Sequence, residues 1–451
     1  MLKTPTTNRR LFLKTGAIAA FATGERIDGL SGASAAPVAS GSGTVLPVSR
    51  EVMKAIPILL AANAGTLILV EDATRRYNSC GIFHWTASDL SAMVSLDPSE
   101  GVYIASNASS DGSSGAWVRQ FNGPVRGEWW RVVGDNTADD TPAIQAMIDF
   151  CLQRNDPVAA LPPGRFKTTD TLHLGWGDTF RTIVLEGAYG SYAGTHAGSS
   201  IWPTRYDRPC INIAGGRRSG LRTLSIIGPA KAFVANLVSG SGKPYQYPAS
   251  AASWNDVSNA PDGMALRAPF AGVTIDAYAE ARPATHYPAV TYPAWTGLTG
   301  QYNKNAYTSE PFIHECRIEG FAVQIALGIN TNAQGDFLSV IGCEINYGVI
   351  GISVNNTQSR NVHIERVNYT HLWTFLDNGS FGDGTGTLGG DVVDISGSHS
   401  YQTFNIPSNA YSQAITFRHI YSEAQVRIGL FGGGRRSGKP SQTREREILV
   451  W

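Results

Sequence analysis

From about residue 170 to residue 430 the chain alternates short apolar runs with Gly, Asn, Asp, Ser and Pro. Short runs bounded by turn formers read as β-strands. Thr182–Leu185, Ile211–Ile213, Leu224–Ile227, Val273–Ile275 and Phe312–Ile318 are the clearest, and no convincing helix interrupts them. One helix signal precedes this region, in GDNTADDTPAIQAMIDFCLQR. There Ile144, Met147, Ile148 and Cys151 fall on one face at helical spacing. Thr141 reads as its N-cap and Pro142 as its first helical residue, with Asp139 and Asp140 where the helix dipole favours negative charge. The turn Leu161–Phe166 and a strand at Thr171–Leu174 follow. Upstream, Thr66–Val70, Val102–Ile104 and Trp117–Arg119 read as strands of a small β-rich module, with Asn107–Gly115 as a loop. Residues 55–70 are uncharged, but Pro57, Asn63 and Gly65 interrupt them. A bilayer span needs about 20 apolar residues, so this stretch reads as a buried turn and strand.

The later strands repeat. Val340, Cys343 and Ile345 match Ile313, Cys316 and Ile318 at an offset of 27 residues, and match Val362, Glu365 and Val367 at 22. Strands recurring at such a period predict stacked coils, each covering the apolar face of the next. If Ile318, Ile345 and Val367 point inward, then Arg317, Glu344 and Arg366 point outward as a column about 5 Å apart. The neighbouring column is Glu319, Asn346 and Asn368, with Asp336 leading into the second coil and His363 preceding the third. In this register Glu365 points inward, so either it is a perturbed acid or the alignment slips there; the slip is favoured. The division that follows is 1–35 leader, 36–50 linker, 51–125 β-rich module, 126–430 solenoid and 431–451 basic tail. No cap for the last coil is evident in that tail, which raises the expectation of further coils.

Composition sharpens this picture. Only 16% of residues are charged, with 36 basic against 36 acidic, while 49 Gly and 23 Pro favour turns. A neutral chain has no general electrostatic attraction for nucleic acid. The low charge also excludes a coiled coil, and 42% hydrophobic content can fill a core. Five cysteines without C-x-x-C spacing suggest no zinc or redox site. At the start, Arg9-Arg10-Leu11-Phe12 before a short apolar stretch resembles a twin-arginine export signal. Ala33 and Ala35 supply a cleavage pattern, although Glu25, Arg26 and Asp28 intervene. The expectation is a periplasmic or secreted protein.

The helix segment, followed by ALPPGRF and TLHL, resembles the opening module of the pectate-lyase superfamily. The lead-in GAWVRQFNGPVRGEWWRVVGD resembles that of its tailspike-like and exopolysaccharide-processing members. The resemblance implies an all-β, right-handed parallel β-helix with a capping helix, a polysaccharide partner, and cleavage by hydrolysis or β-elimination. Its tailspike-like side leaves room for a homotrimer. The same fold hosts non-catalytic glycan binders, so fold alone does not settle function.

Hydrolysis requires two carboxyl groups at a set separation; β-elimination requires a base and a cation, Ca2+ among the candidates, to neutralise the uronate. The outward column supplies the candidates: Glu344, Arg366, Arg317, Asp336 and His363 for catalysis, Asn346 and Asn368 for binding. The competing reading is an ion-pair ladder that merely suits stacked strands. A second candidate is the proline-rich stretch 282–307, where Tyr287, Tyr292, Trp295 and Tyr302 have flat faces suited to sugar rings. Asp276 and His286 lie at its edge, and the alternative is that these aromatics pack the loop onto the solenoid. Nucleophile-elbow, metalloprotease and phosphate-loop motifs are absent, as are the Gly-His-Gly and Asn-Thr-Asp signatures of polygalacturonases. Gly382–Gly390 reads as a surface loop.

Overall fold

The computed structural model describes residues 46–58, 66–69, 79–175, 181–188, 198–205, 209–228, 271–275, 308–321, 323–327, 335–354, 359–378, 387–400, 402–406, 411–423 and 427–431. Of the two units into which the chain divides, 1–44 and 45–451, only the second contains described residues. The leader, Tyr287, Tyr292, Trp295 and Tyr302, and the tail from residue 432 lie outside them.

Apart from the separately paired Thr308–Ser309 and Gly335–Asp336, the described strands from residue 125 onward form one sheet of parallel pairings, wound so that strands pair with their counterparts a coil before and a coil after. Three inward ladders record the winding. Ala159, Leu185, Leu221, Ile313, Val340, Ile364, Val392 and Phe417 stand in register on the first face. Phe166, Ile201, Ile226, Ile318, Ile345 and Tyr369 do so on the second. Leu172, Ile211, Val273, Ile325, Ile352, Leu376 and Phe404 line the third. Nearly all are fully buried, and burying each aliphatic side chain stabilises the fold by about 1.5–3 kcal/mol. This is a parallel β-helix, right-handed as parallel crossovers are.

Its corners use residues that strand patterns do not reveal. The run expected at Phe312–Ile318 is two strands, Phe312–His314 and Arg317–Glu319, broken at Glu315. Glu315 adopts a left-handed backbone (φ 54°), as do Gly342, Arg366, Asp394 and His419 at the same corner of later coils. A second such corner holds Gly320, Tyr347, His371 and His399. Only two of these nine are glycine, so the rest accept the steric cost of that conformation in exchange for the stacking of coils. Gly389 and Gly390 are not loop residues: they lie in the strand Thr387–Ser398. Gly390 has φ 142°, and a Cβ there would meet the Val362 carbonyl oxygen at 1.9 Å, so a side chain has no room at this bulge.

The expected helix spans Thr141–Arg154, one residue earlier than its capping pattern suggested. Asp140 is the N-cap, but its carboxylate accepts from the Val133 and Gly134 amides, and Asp139 accepts from the Thr141 amide and hydroxyl. Ile144, Met147, Ile148 and Cys151 are buried as their spacing required. The helix also closes an exposed strand edge. Gln145 Oε1 accepts from the His173 amide at 2.8 Å and its Nε2 donates to the His173 carbonyl at 3.2 Å. A side-chain amide thus substitutes for a neighbouring strand beside Leu172–Leu174. Gln145→Ala is expected to cost about 2 kcal/mol, read as a lower denaturation midpoint; an unchanged midpoint would show that the edge needs no such cover.

Ahead of the solenoid, Leu46–Val48, Thr66–Leu69, Gly81–Thr86, Ala116–Gln120 and Tyr103–Ala105 pair in that order as a five-stranded sheet. Met53, Leu67, Leu69, Phe83, Ile104 and Trp117 form its core. Arg119 ties it together, donating to the Gly101, Cys80 and Ser79 carbonyls and lying 4.6 Å over the Phe83 and Trp129 rings. The short helices Arg50–Ala55 and Ser91–Leu96 of this segment had no clear sequence signal.

Candidate functional site

The register corrects the outward column. Arg317 stands beside Glu344 as expected, but Glu344 pairs with Asn368, not with Arg366. The third coil is offset by 24 residues from the second, since Ile345 meets Tyr369 and Val340 meets Ile364. Arg366 is instead the left-handed corner residue, with its side chain 65% exposed. Asn368 takes the place assigned to Arg366, and Thr370 stands beside Asn346. Asp336 is outside both columns, in the strand Gly335–Asp336 paired with Thr308–Ser309. His363 sits on the first face, one strand over from Ser339.

Burial separates the members of the corrected column. Arg317 donates through Nε and Nη2 to Glu319 Oε2 at 3.0 and 2.8 Å. Their side chains are 8% and 0% exposed, so this is a covered ion pair and not a surface ladder. Glu344 reaches to 3.6 Å from Arg317 Nη1 and is half-buried, while Asn368 is exposed. Among these three members, exposure rises from Arg317 through Glu344 to Asn368.

The first face carries a partly exposed polar group that the sequence reading did not assemble. Two adjacent outward columns cross it. One holds Glu186, Arg222, His314, Ile341 and Glu365; the other holds Phe312, Ser339, His363 and Asp391. His314 Nε2 and Ser339 Oγ share a hydrogen bond of 2.7 Å. His363 Nε2 lies 2.8 Å from Glu365 Oε2. Arg366 approaches the other Glu365 oxygen at 3.4 Å, and Arg222 pairs with Glu186. Burial, with the nearby Arg222 and His363 charges, holds His314 below its ordinary pKa against the pull of Glu315. The signal for this site was Glu365, whose inward placement conflicted with its charge. In the true register it points outward and meets His363.

At the second corner the Tyr347 and His371 rings stack at 4.7 Å, and His371 and His399 at 5.5 Å. Burial and the His399 charge push the His371 pKa down to about 4. Among the described residues, no group of three or more His, Cys, Asp or Glu is arranged to hold a metal ion, and no described helix is long and apolar enough to cross a membrane.

No family model and no curated protein matches the chain. Solved structures do. Pantoea stewartii WceF, a glycan biofilm modifying enzyme with a tailspike-like parallel β-helix, is 12% identical, covering 87% of this chain and 50% of its own, with a TM-score of 0.46. The enzymatically active domain of bacteriophage CBA120 tailspike protein 2 is 13% identical over 81% of this chain and 50% of its own, with a TM-score of 0.37. The mannuronan C-5 epimerase A-module of Azotobacter vinelandii is 12% identical over 67% and 78%, with a TM-score of 0.32. The chain spans about half the length of the first two. With TM-scores this low the likeness adds nothing to the fold, which rests on the strand register itself.

Proposed function

We propose that the chain is a carbohydrate-active protein that cleaves an acidic or microbial exopolysaccharide by lyase or hydrolase chemistry. The observation that carries this reading is the first face, where imidazole, carboxylate, hydroxyl and guanidinium groups recur on successive coils. Coils of this sheet repeat about every 4.8 Å, so an extended glycan lying along the solenoid axis meets one set of groups after another. Incubation of the purified chain with a panel of polysaccharides tests it. Unsaturated uronate in the product supports a lyase, and new reducing ends alone support a hydrolase. A panel left uncut sinks the enzymatic reading.

Glycan binding without cleavage is the second reading. The covered Arg317–Glu319 pair favours it, because Arg317, one of the five residues first expected to do chemistry, is locked in an internal contact. Saturable binding with no turnover, unaffected by Glu344→Gln, is the outcome that selects it.

The chain is further proposed to leave the cytoplasm by the twin-arginine route. Arg9→Lys with Arg10→Lys in the full chain is expected to retain it in the cytoplasmic fraction, while the unsubstituted chain reaches the periplasm or medium. Equal partitioning of the two would remove the proposal. A solution mass three times that of the chain would support the homotrimer for which the resemblance leaves room, and a monomer mass would dismiss it.

A further inference from the structure

We infer that Ser339 and His314 form a nucleophile–base dyad that transfers the acyl group of a short-chain ester, of the O-acetyl class, to water. The bond concerned is an ester and not a glycosidic bond, so this activity stands or falls apart from the proposed cleavage. The argument begins with the grid of outward side chains on the first face. Phe312, Ser339 and His363 follow one another on three successive coils, and His314, Ile341 and Glu365 do so beside them. Ser339 and His314 are diagonal neighbours in this grid, and their Oγ and Nε2 atoms meet at 2.7 Å. That is the contact a serine nucleophile needs with its base. The other diagonal of the same square is apolar, Phe312 and Ile341. The Phe312 ring lies 4.8 Å from that of His314 and fixes the plane of the imidazole. All four side chains are half-buried. The hydroxyl thus stands between two apolar side chains, a setting that suits a short acyl group.

The base must be neutral to take the hydroxyl proton. Burial, with the Arg222 and His363 charges, holds His314 below the ordinary imidazole value of 6.5 against the pull of Glu315. With the single proton of the neutral ring on Nδ1, Nε2 accepts from Ser339. The oxyanion must be met by a side chain, because the strand amides here are already engaged. The Ser339 amide donates to the Pro311 carbonyl and the His363 amide to the Leu338 carbonyl. His363 is the register partner of Ser339 on the next coil, about 4.8 Å away along the stack. Glu365 Oε2 holds its Nε2 at 2.8 Å, so the imidazolium form directs Nδ1–H toward the oxyanion, with Glu365 as its positioning residue.

The step balances as follows. Ser339 Oγ bonds to the acyl carbon, and its proton goes to His314 Nε2. The bond from the acyl carbon to the alcohol oxygen breaks, and that oxygen takes the proton from His314. Water then attacks the acyl-serine, again giving a proton to His314, which returns it to Ser339 Oγ as the carboxylic acid leaves.

The probes are p-nitrophenyl acetate and an alkyl fluorophosphonate, used on the full chain. The fluorophosphonate is expected to modify Ser339 in the folded chain and not in urea, where the dyad is apart, as read by peptide mass spectrometry. Ser339 left unmodified at saturating probe overturns the inference, and this arm needs no variant. Ser339→Ala and His314→Gln are each expected to lower kcat/KM for the acetate about 100-fold or more. Either variant hydrolysing it at the full rate overturns the dyad. In the unsubstituted chain kcat/KM should fall as pH falls through the His314 pKa, with a midpoint below 6.5. A midpoint above 6.5 assigns the base elsewhere and overturns the role of His314. His363→Gln should lower kcat more than it raises KM, and an unchanged kcat removes His363 from the site. A chain modified at Ser339 that cuts no polysaccharide keeps this inference and loses the proposed cleavage.

Discussion

Arg317→Met is expected to destabilise the protein by about 3–5 kcal/mol, the cost of removing one partner of a buried ion pair. Glu319 is fully buried and accepts two guanidinium hydrogen bonds. Taking the guanidinium away removes both of these charge-assisted hydrogen bonds from a buried carboxylate. Arg317→Met combined with Glu319→Leu should recover much of the loss, because an apolar pair of similar volume avoids the desolvation of both charges. Denaturant unfolding of the two variants checks this. A loss below about 1 kcal/mol for the single variant would mean that Arg317 behaves as an exposed pair does. The result bears on function: if Arg317 holds coils together, its variants lose activity through the fold, and they cannot identify a catalytic group.

Asp149→Asn is expected to stabilise the protein at pH 8 and to change little at pH 4. Burial pushes the Asp149 pKa up from 3.8 to about 7, against the opposing hydrogen bond from Gln145. A folded-state pKa above the unfolded one means that the folded chain holds a proton which the unfolded chain has released. The contribution is therefore complete below pH 3.8, falls as pH rises toward 7, and is lost above it. The full shift corresponds to roughly 4 kcal/mol. Asp149 keeps some solvent contact, so this is an upper bound and a gain of about 2 kcal/mol is the working figure. The amide can keep the Gln145 contact through its oxygen. Denaturation midpoints of both forms at the two pH values test it, and equal midpoints at pH 8 would show that Asp149 ionises in the fold without cost.

Much of the solenoid was legible because its inward positions are mostly apolar. Ile313, Cys316 and Ile318 align with Val340, Cys343 and Ile345 at the offset that the structure shows. The third coil did not align, for a specific reason. Val362, Ile364 and Val367 are all buried and apolar, and strand side chains alternate with period two. A slip of two residues therefore keeps Val362 and Val367 inward, and Glu365, expected inward and found facing out, is its one trace. It nevertheless moved Arg366 from a corner into a column and hid the meeting of His363 with Glu365. The corners were equally silent. Arg366, Asp394 and His419 take left-handed backbone conformations usually marked by glycine.

The amino-acid pattern by itself determined that this chain stacks parallel strands behind a capping helix. Both features are periodicities of burial, and burial of apolar surface is written residue by residue along the chain. Which polar groups share a face was decided only by the winding. Glu186, Arg222, His314 and Glu365 are far apart in sequence and meet through the register of successive coils. That register is set jointly by corner geometry and by the length of each connection, and local alternation carries neither.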